Sequence, residues 1–343
     1  MTERYDGLDG LRTIACLGII AMHIKANAAY QIPIELNNIV ASFTHFVPLF
    51  LIISGFGMFC GYYAKFRNNN IDLNSFYTRR YKKILPFFVT LILIDIVITR
   101  SIDHIIEGIM EATMVFGLLP NNELDVIGVS WTLRVIFLFY MLFPFIVYLC
   151  WTKKRAWITF LVSILLSIFC SYYFFSDKFV IEEFTPRHNI LYCAPWIIGG
   201  GLVYLYRESI KSYIAKHRYG WLFGCICLVT AYYWVTWGVP SNIVNLLLFL
   251  PWIMYAISVD SKVLSNRAMK YLSNISLELY LAQMVIFRGV EKVQGLYILG
   301  HGIVGFITTW VVIVIGLIIF IEIWKRLSDL LSFQFFQHLG SAR

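Results

Sequence analysis

Apolar runs of membrane-crossing length recur through this chain, and they restrict it to one kind of fold. Trp157 to Phe175, Trp221 to Thr236 and Ile303 to Ile323 are examples. At 1.5 Å per residue, a helix of about 18 to 20 such residues traverses the ~30 Å hydrocarbon core of a bilayer. Charged residues make up 14% of the chain and hydrophobic ones 59%. A soluble domain carries roughly 25% charged residues, so this chain lacks the polar surface to face water on all sides.

The expectation is an all-α, polytopic membrane bundle of about ten transmembrane helices. They are placed near 8–27, 37–63, 84–101, 128–150, 157–176, 189–206, 219–238, 241–258, 273–290 and 299–325. The segment 104–119 is apolar on average but carries His104, Glu107 and Glu111. It reads as an interfacial or re-entrant helix, with an extra span as the alternative. No low-complexity tract, repeat or soluble appendage interrupts the pattern, so residues 1–343 read as a single membrane domain. Asp6, Asp9 and Arg12 break into the start of the first apolar segment, and no small-residue cleavage site closes it. That helix is therefore expected to stay in the mature protein. The seven cysteines lie in or beside apolar segments with no CxxC pair. They read as small hydrophobes, without disulfide or zinc.

Basic residues fall in alternate loops. Lys65, Arg67, Arg79, Arg80, Lys82 and Lys83 follow the second helix; Lys153, Lys154 and Arg155 the fourth. Arg207, Lys211, Lys216 and Arg218 follow the sixth, Lys262, Arg267 and Lys270 the eighth, and Lys325, Arg326 and Arg343 the last. The loop after the third helix is acidic, with Asp103, Glu107, Glu111, Glu123 and Asp125, and the 238–241 turn is neutral. Lys and Arg are retained on the cytoplasmic side, so both termini are expected there, in a multi-pass protein of the plasma (inner) membrane. The net charge of +8 is then a sum of anchors beside anionic lipid. Nucleic-acid binding has no support, and no phosphate loop, nucleophile elbow or zinc-protease helix is present.

Ionisable groups inside a bilayer are costly and tend to be functional. In DGLDGLRTIACLGIIAMHIK, Arg12 and His23 stand eleven residues apart. That is about three turns, so both share one face, roughly 16 Å apart along the axis. A permanent cation near the cytoplasm suits a phosphate or a polarised carbonyl. An imidazole deeper along the same face suits proton removal from a hydroxyl. A snorkelling arginine and a histidine bonded to a neighbouring helix are the plainer alternative.

The R-x10-H spacing after a DGLR start resembles the opening of acyltransferase family 3, integral membrane O-acyltransferases acting on surface polysaccharides and related glycans. The resemblance continues in family order through VPLFLIISGFGM (47–58), FYTRRYKKILPFF (76–88), SWTLRVIFLFYMLFP (130–144) and LSNISLELYLAQMVI (272–286). It implies about ten helices, an acyl-coenzyme A donor substrate (acetyl-coenzyme A foremost) reached from the cytoplasm, and an acceptor sugar hydroxyl. No permanently bound cofactor and no metal are implied. By the same resemblance His23 is the general base, Arg12 orients the donor, and Arg79 and Arg80 hold the donor's phosphates. Simple cytoplasmic anchoring is the alternative for Arg79, Arg80, Lys82 and Lys83. Asp9, Trp131, Gln283 and Glu278 stand as supporting or substrate-binding residues.

Two positions depart from the family pattern. Ile136 takes the place of an acidic residue, with Arg134 two positions earlier, and Gln283 takes the place of a histidine. Gln283 retains hydrogen bonding but is no base. Asp95 and Glu278 are candidates to pair with a buried Arg12, and His45 is a further candidate at a depth like that of His23. Ser54, Gly55 and Gly199 to Gly201 read as sites of close helix approach. Trp131 and Tyr140 are candidates to line a sugar site. The expected function is O-acylation, O-acetylation foremost, of an exopolysaccharide or other carbohydrate or glycolipid acceptor. A glycan or lipid-linked sugar transporter and an inactive relative are the alternatives.

Overall fold

The computed structural model describes residues 4–119, 124, 126–176, 178–179, 185–234, 240–293 and 295–341, the last eleven as backbone. Glu123, Asp125, residues 235–239 and Arg343, on which parts of the loop argument rest, lie outside them. All regular structure among the described residues is helical. The helices are α1 (Asp6–Asn27), α2 (Ile34–Ser42), α3 (Phe46–Met58), α4 (Ala64–Arg67), α5 (Leu73–Thr99), α6 (Ile102–Ala112), α7 (Trp131–Leu149) and α8 (Lys153–Phe169). They continue with α9 (Ile190–Leu205), α10 (Arg207–Lys216), α11 (Arg218–Trp234), α12 (Ser241–Ser258), α13 (Arg267–Asn274), α14 (Ser276–Val293) and α15 (Ile303–Ser341).

Each of the ten expected segments carries a helix. Among the described residues, six helices are long and apolar enough to cross a membrane: Asp6–Asn27, Ile34–Arg67, Trp131–Leu149, Lys153–Phe174, Ser241–Ser258 and Ile303–Leu330. The chain is a multi-pass membrane protein. Several boundaries move from their expected places for local reasons. Helix α5 begins at Leu73 because Asp72 accepts a hydrogen bond from the Ser75 amide at 2.8 Å, a side-chain cap. Its basic first turns therefore extend the apolar rod into the polar zone. The expected 273–290 helix is broken at Ile275 into α13 and α14. Helix α6 has 11 residues, about 16 Å, too short to span. Ile102, Ile106 and Ile109 lie on its exposed side and Gly108 and Glu111 on its buried side. This is the interfacial arrangement, and the extra span is not formed.

Helix α1 runs through the middle of the bundle. Its first half, with Leu8, Leu11 and Ala15, belongs to one core, built with α3, α7, α9 and α12. Its second half, with Cys16, Ile19, Ile20 and Ile24, belongs to another, built with α5, α7, α14 and α15. Helices α3 and α9 touch backbone to backbone. A Cβ on Gly55 would overlap the Ile197 carbonyl oxygen, and one on Gly200 that of Ile52. Small residues allow this approach, as the Gly55 and Gly199–Gly201 positions had suggested.

Candidate active site

The start of α1 is clamped onto the broken α13–α14 pair. Asp9 accepts a 2.7 Å hydrogen bond from Ser273 and a 2.9 Å bond from Arg4. Asp6 pairs with Lys270 at 2.5 Å. Thr13 donates to the Met269 carbonyl at 2.9 Å, and the Cys16 thiol approaches the Ser276 carbonyl at 3.5 Å. Each bond ties one turn of α1 to a fixed point on its neighbour. Asp9 is thus a positioning residue for the helix that carries Arg12 and His23.

Arg12 lines a cavity of about 120 Å³ with Ser54, Lys83, Thr132, Ile136, Tyr140, Asn274, Glu278 and Tyr280. Among the described residues no carboxylate forms an ion pair with it. The expected pairings are not made. Asp95 instead bonds to His104 Nδ1 at 2.6 Å, with Arg288 at 4.0 Å. Glu278 lines the Arg12 cavity, but its Oε2 is buried without a hydrogen-bond partner. Asp95 finds His104 because Arg100, at φ 54°, ends α5 in the left-handed conformation and turns α6 back over it.

His23 opens into a different cavity, of about 640 Å³, with Asn27, Asp95, Thr99, Val129, Leu281, Arg288, Glu291 and Lys292. This is the size range of small-molecule sites, roughly 300–1,000 Å³. Both cavities are walled by α5 and α14, so Arg12 and His23 do look toward the same pair of helices. The cavities are nonetheless separate. Tyr280 closes the Arg12 side, Leu281 and Met284 the His23 side. Gln283, 2% exposed, is packed beside them. A shared helix face therefore does not make a shared cavity: eleven residues of helix carry the two groups past the packed middle of the bundle into different cavities.

The family model described as an acyltransferase domain matches residues 5–323. The chain belongs to acyltransferase family 3. Among curated proteins, an uncharacterized protein of Haemophilus influenzae is 26% identical over 193 residues, covering 50% of this chain and 78% of that protein. No solved structure matches significantly.

In this acyltransferase family member, the two departures from the motif pattern have distinct settings. Ile136 lines the Arg12 cavity, so the position expected to bear an acid presents an aliphatic side chain to it. Arg134 does not compensate there. It is buried and donates to the His188 carbonyl at 3.3–3.4 Å. Gln283 donates to the Tyr280 carbonyl at 2.9 Å, while its Oε1 is buried without a partner.

The other expected residues divide. Arg80 packs over the Tyr62 and Tyr140 rings, at 4.7 and 5.4 Å, and donates to the Tyr62 hydroxyl. Tyr62 belongs to a π-helical turn, Phe59–Tyr63, a local widening often found at functional sites. Since Tyr140 also lines the Arg12 cavity, Arg80 stands one ring away from it. Arg79 is exposed and is not in the cavity wall; Lys83 is in the wall. His45 bonds to the Tyr232 hydroxyl at 2.8 Å and lies outside the His23 cavity. Trp131 stacks on His188 with centroids 4.6 Å apart. It lines neither of the two main cavities but borders two smaller ones.

Sequence reading missed three groups. Glu111 is 0% exposed, accepts a 2.8 Å bond from Ser130, and leaves Oε2 buried and unpartnered. Burial pushes its carboxyl up to about 8. Asn245 and Arg187 border the pocket beside Trp131. Only Glu111 carried a signal, an acid on an amphipathic helix, and its buried side could not be told from its exposed one.

Proposed function

We propose that this protein transfers an acyl group, acetyl foremost, from acyl-coenzyme A to a hydroxyl of a carbohydrate or glycolipid acceptor at the plasma (inner) membrane. Ten spans with both termini cytoplasmic accord with the alternating basic loops. The donor's phosphates then meet Arg80 and Lys83 at the cytoplasmic mouth, and Arg12 orients the thioester. On the far side His23 takes the acceptor's proton as the hydroxyl oxygen bonds to the thioester carbonyl carbon. The C–S bond breaks, and the departing thiolate receives that proton back.

The acyltransferase family match over residues 5–323 carries this reading, and the geometry accords with it: Arg12 and His23, on one helix, open into separate cavities. A donor and an acceptor that enter from opposite faces need such a pair. The packed stretch at Tyr280 and Gln283 has to open for them to meet, and an unbranched pantetheine arm needs only a narrow passage. The test is a mass spectrum of surface glycans from cells carrying Arg12→Ala or His23→Ala protein at wild-type membrane level. Loss of the acyl groups is expected; full acylation in either variant would sink the mechanism.

The same closed wall favours a second reading, a glycan transporter with alternating access. Failed export of a normally acylated polymer in a deletion strain would identify it. Normal export with acyl groups missing supports the transferase.

A further inference from the structure

Four cavities meet at the start of α7. Val129 lines the His23 cavity, Thr132 the Arg12 cavity, and Trp131 two small pockets between them. One of these, of about 130 Å³, lies between α3, α7, α9 and α12, with Trp131, Arg187, Tyr192, Trp196, His45 and Asn245 in its wall. At about 30 Å³ per water, it has room for about four waters, enough for a charged substituent and its neighbouring hydroxyl.

Most polar groups in this wall are already engaged. Trp196 Nε1 donates to the Asn242 carbonyl at 3.0 Å, the Tyr192 and Ser241 hydroxyls lie 3.2 Å apart, and His45 bonds to Tyr232. Two groups have capacity to spare. Asn245 is 3% exposed, and its buried Oδ1 makes no hydrogen bond of full geometry, its only polar approach being to the His45 ring. Arg187 lies with its guanidinium 5.0 Å from the centre of the Trp131 ring and donates to Thr44 Oγ1 at 3.1 Å. A guanidinium has five N–H donors, and among the described residues no carboxylate pairs with this one. A buried acceptor without a full hydrogen bond and an exposed cation over an indole, in one pocket wall, suit a ligand that brings both an anion and a hydroxyl. Neutral sugars bring only the second.

We infer that this pocket binds the anionic group of an acidic sugar, a carboxylate or phosphate, on Arg187 over the Trp131 face, while an adjacent hydroxyl donates to Asn245 Oδ1. That the sugar is the acyl acceptor rests on the proposed function; that it binds here does not. Charge-assisted bonds to guanidinium are about twice as strong as neutral ones, so the charge should dominate selection.

The test is titration of the whole protein, in nanodiscs of zwitterionic phosphatidylcholine, with glucuronate, glucose 1-phosphate and glucose. At least one of the two anions should bind tenfold or more tightly than glucose. Arg187→Gln should abolish that preference and Arg187→Lys should keep part of it, both variants eluting as folded protein. Asn245→Leu should weaken both anions with the preference retained. Equal binding of all three sugars, or a preference that survives Arg187→Gln, overturns the inference. So does a preference that vanishes in discs containing phosphatidylglycerol, because the anion on Arg187 is then a lipid headgroup. Acylation by cells separates this inference from the proposed function. Arg187-dependent binding without any acyl transfer leaves the pocket standing and removes the transferase; unchanged acylation of an acidic glycan by Arg187→Gln removes only the assignment of the bound sugar as acceptor.

Discussion

Ile136 and Arg12 line the same cavity, and the arginine has no ion-paired carboxylate among the described residues. Its charge is therefore available to a ligand. Ile136→Glu would place a carboxylate in that wall. A charge-assisted bond to the guanidinium contributes about 1.5–3 kcal/mol, and about 1.4 kcal/mol is a factor of ten. The variant is expected to bind acyl-coenzyme A at least tenfold more weakly, measured by titration with a non-hydrolysable thioester analogue. Unchanged affinity would show that Arg12 does not meet the donor.

The α3–α9 contact admits no side chain at Gly200, where a Cβ would overlap the Ile52 carbonyl oxygen. Overpacking typically costs about 1–3 kcal/mol or more, and here backbone is the obstacle, so Gly200→Val should leave little folded protein on size exclusion. Gly57, on the same α3, has nothing within 4 Å of an added Cβ. Gly57→Ala should hold or raise the unfolding temperature, since alanine favours helix over glycine by up to about 1 kcal/mol.

Asp9→Ala removes the 2.7 Å bond to Ser273 and the contact with Arg4. The Arg4 pair is exposed and adds little; the Ser273 bond is partly buried and contributes about 0.5–1.5 kcal/mol. A modest drop in unfolding temperature is expected, together with a loss of acylation larger than the stability change explains, because α1 is freed from α13. Equal losses in both would reduce Asp9 to a stability residue.

Glu111 gives a pH dependence whose sign is fixed by its raised pKa. A carboxyl held near 8 when folded and near 4.5 when unfolded favours the folded state most below the unfolded value. That contribution declines as pH rises and is gone above about 8. Amide exchange at the start of α7 should therefore quicken between about pH 5 and 8 by more than its intrinsic rise with pH, and Glu111→Gln should remove that step. A step that persists in the glutamine variant would assign it to another group.

What was legible in the sequence was whatever a single helix decides. The Arg12–His23 spacing needed only the 3.6-residue period, and both residues indeed address α5 and α14. The ten helical segments were legible for the same reason, since apolar runs need no partner to be recognised. Partners across helices were not. Asp95 meets His104 through a left-handed turn at Arg100, a non-glycine residue that announces nothing. Whether two groups on one face share a cavity depends on what fills the space between them. Here that is Tyr280, Leu281 and Gln283 from α14, which only the packing could supply. The Asn245 and Arg187 pocket combines four helices, and of its wall only Trp131 and His45 stood out in the sequence.

Because α1 bears both Arg12 and His23, their separation is set by a single rod, as on a ruler, and not by loops that drift. Deleting one residue between them swings the imidazole by about 100° around the axis, off the α14 side altogether. Inserting a whole turn of sequence returns its bearing but stretches the gap by about 5.4 Å. The outer loops carry no such constraint, while the length of this one stretch is fixed by the helix itself.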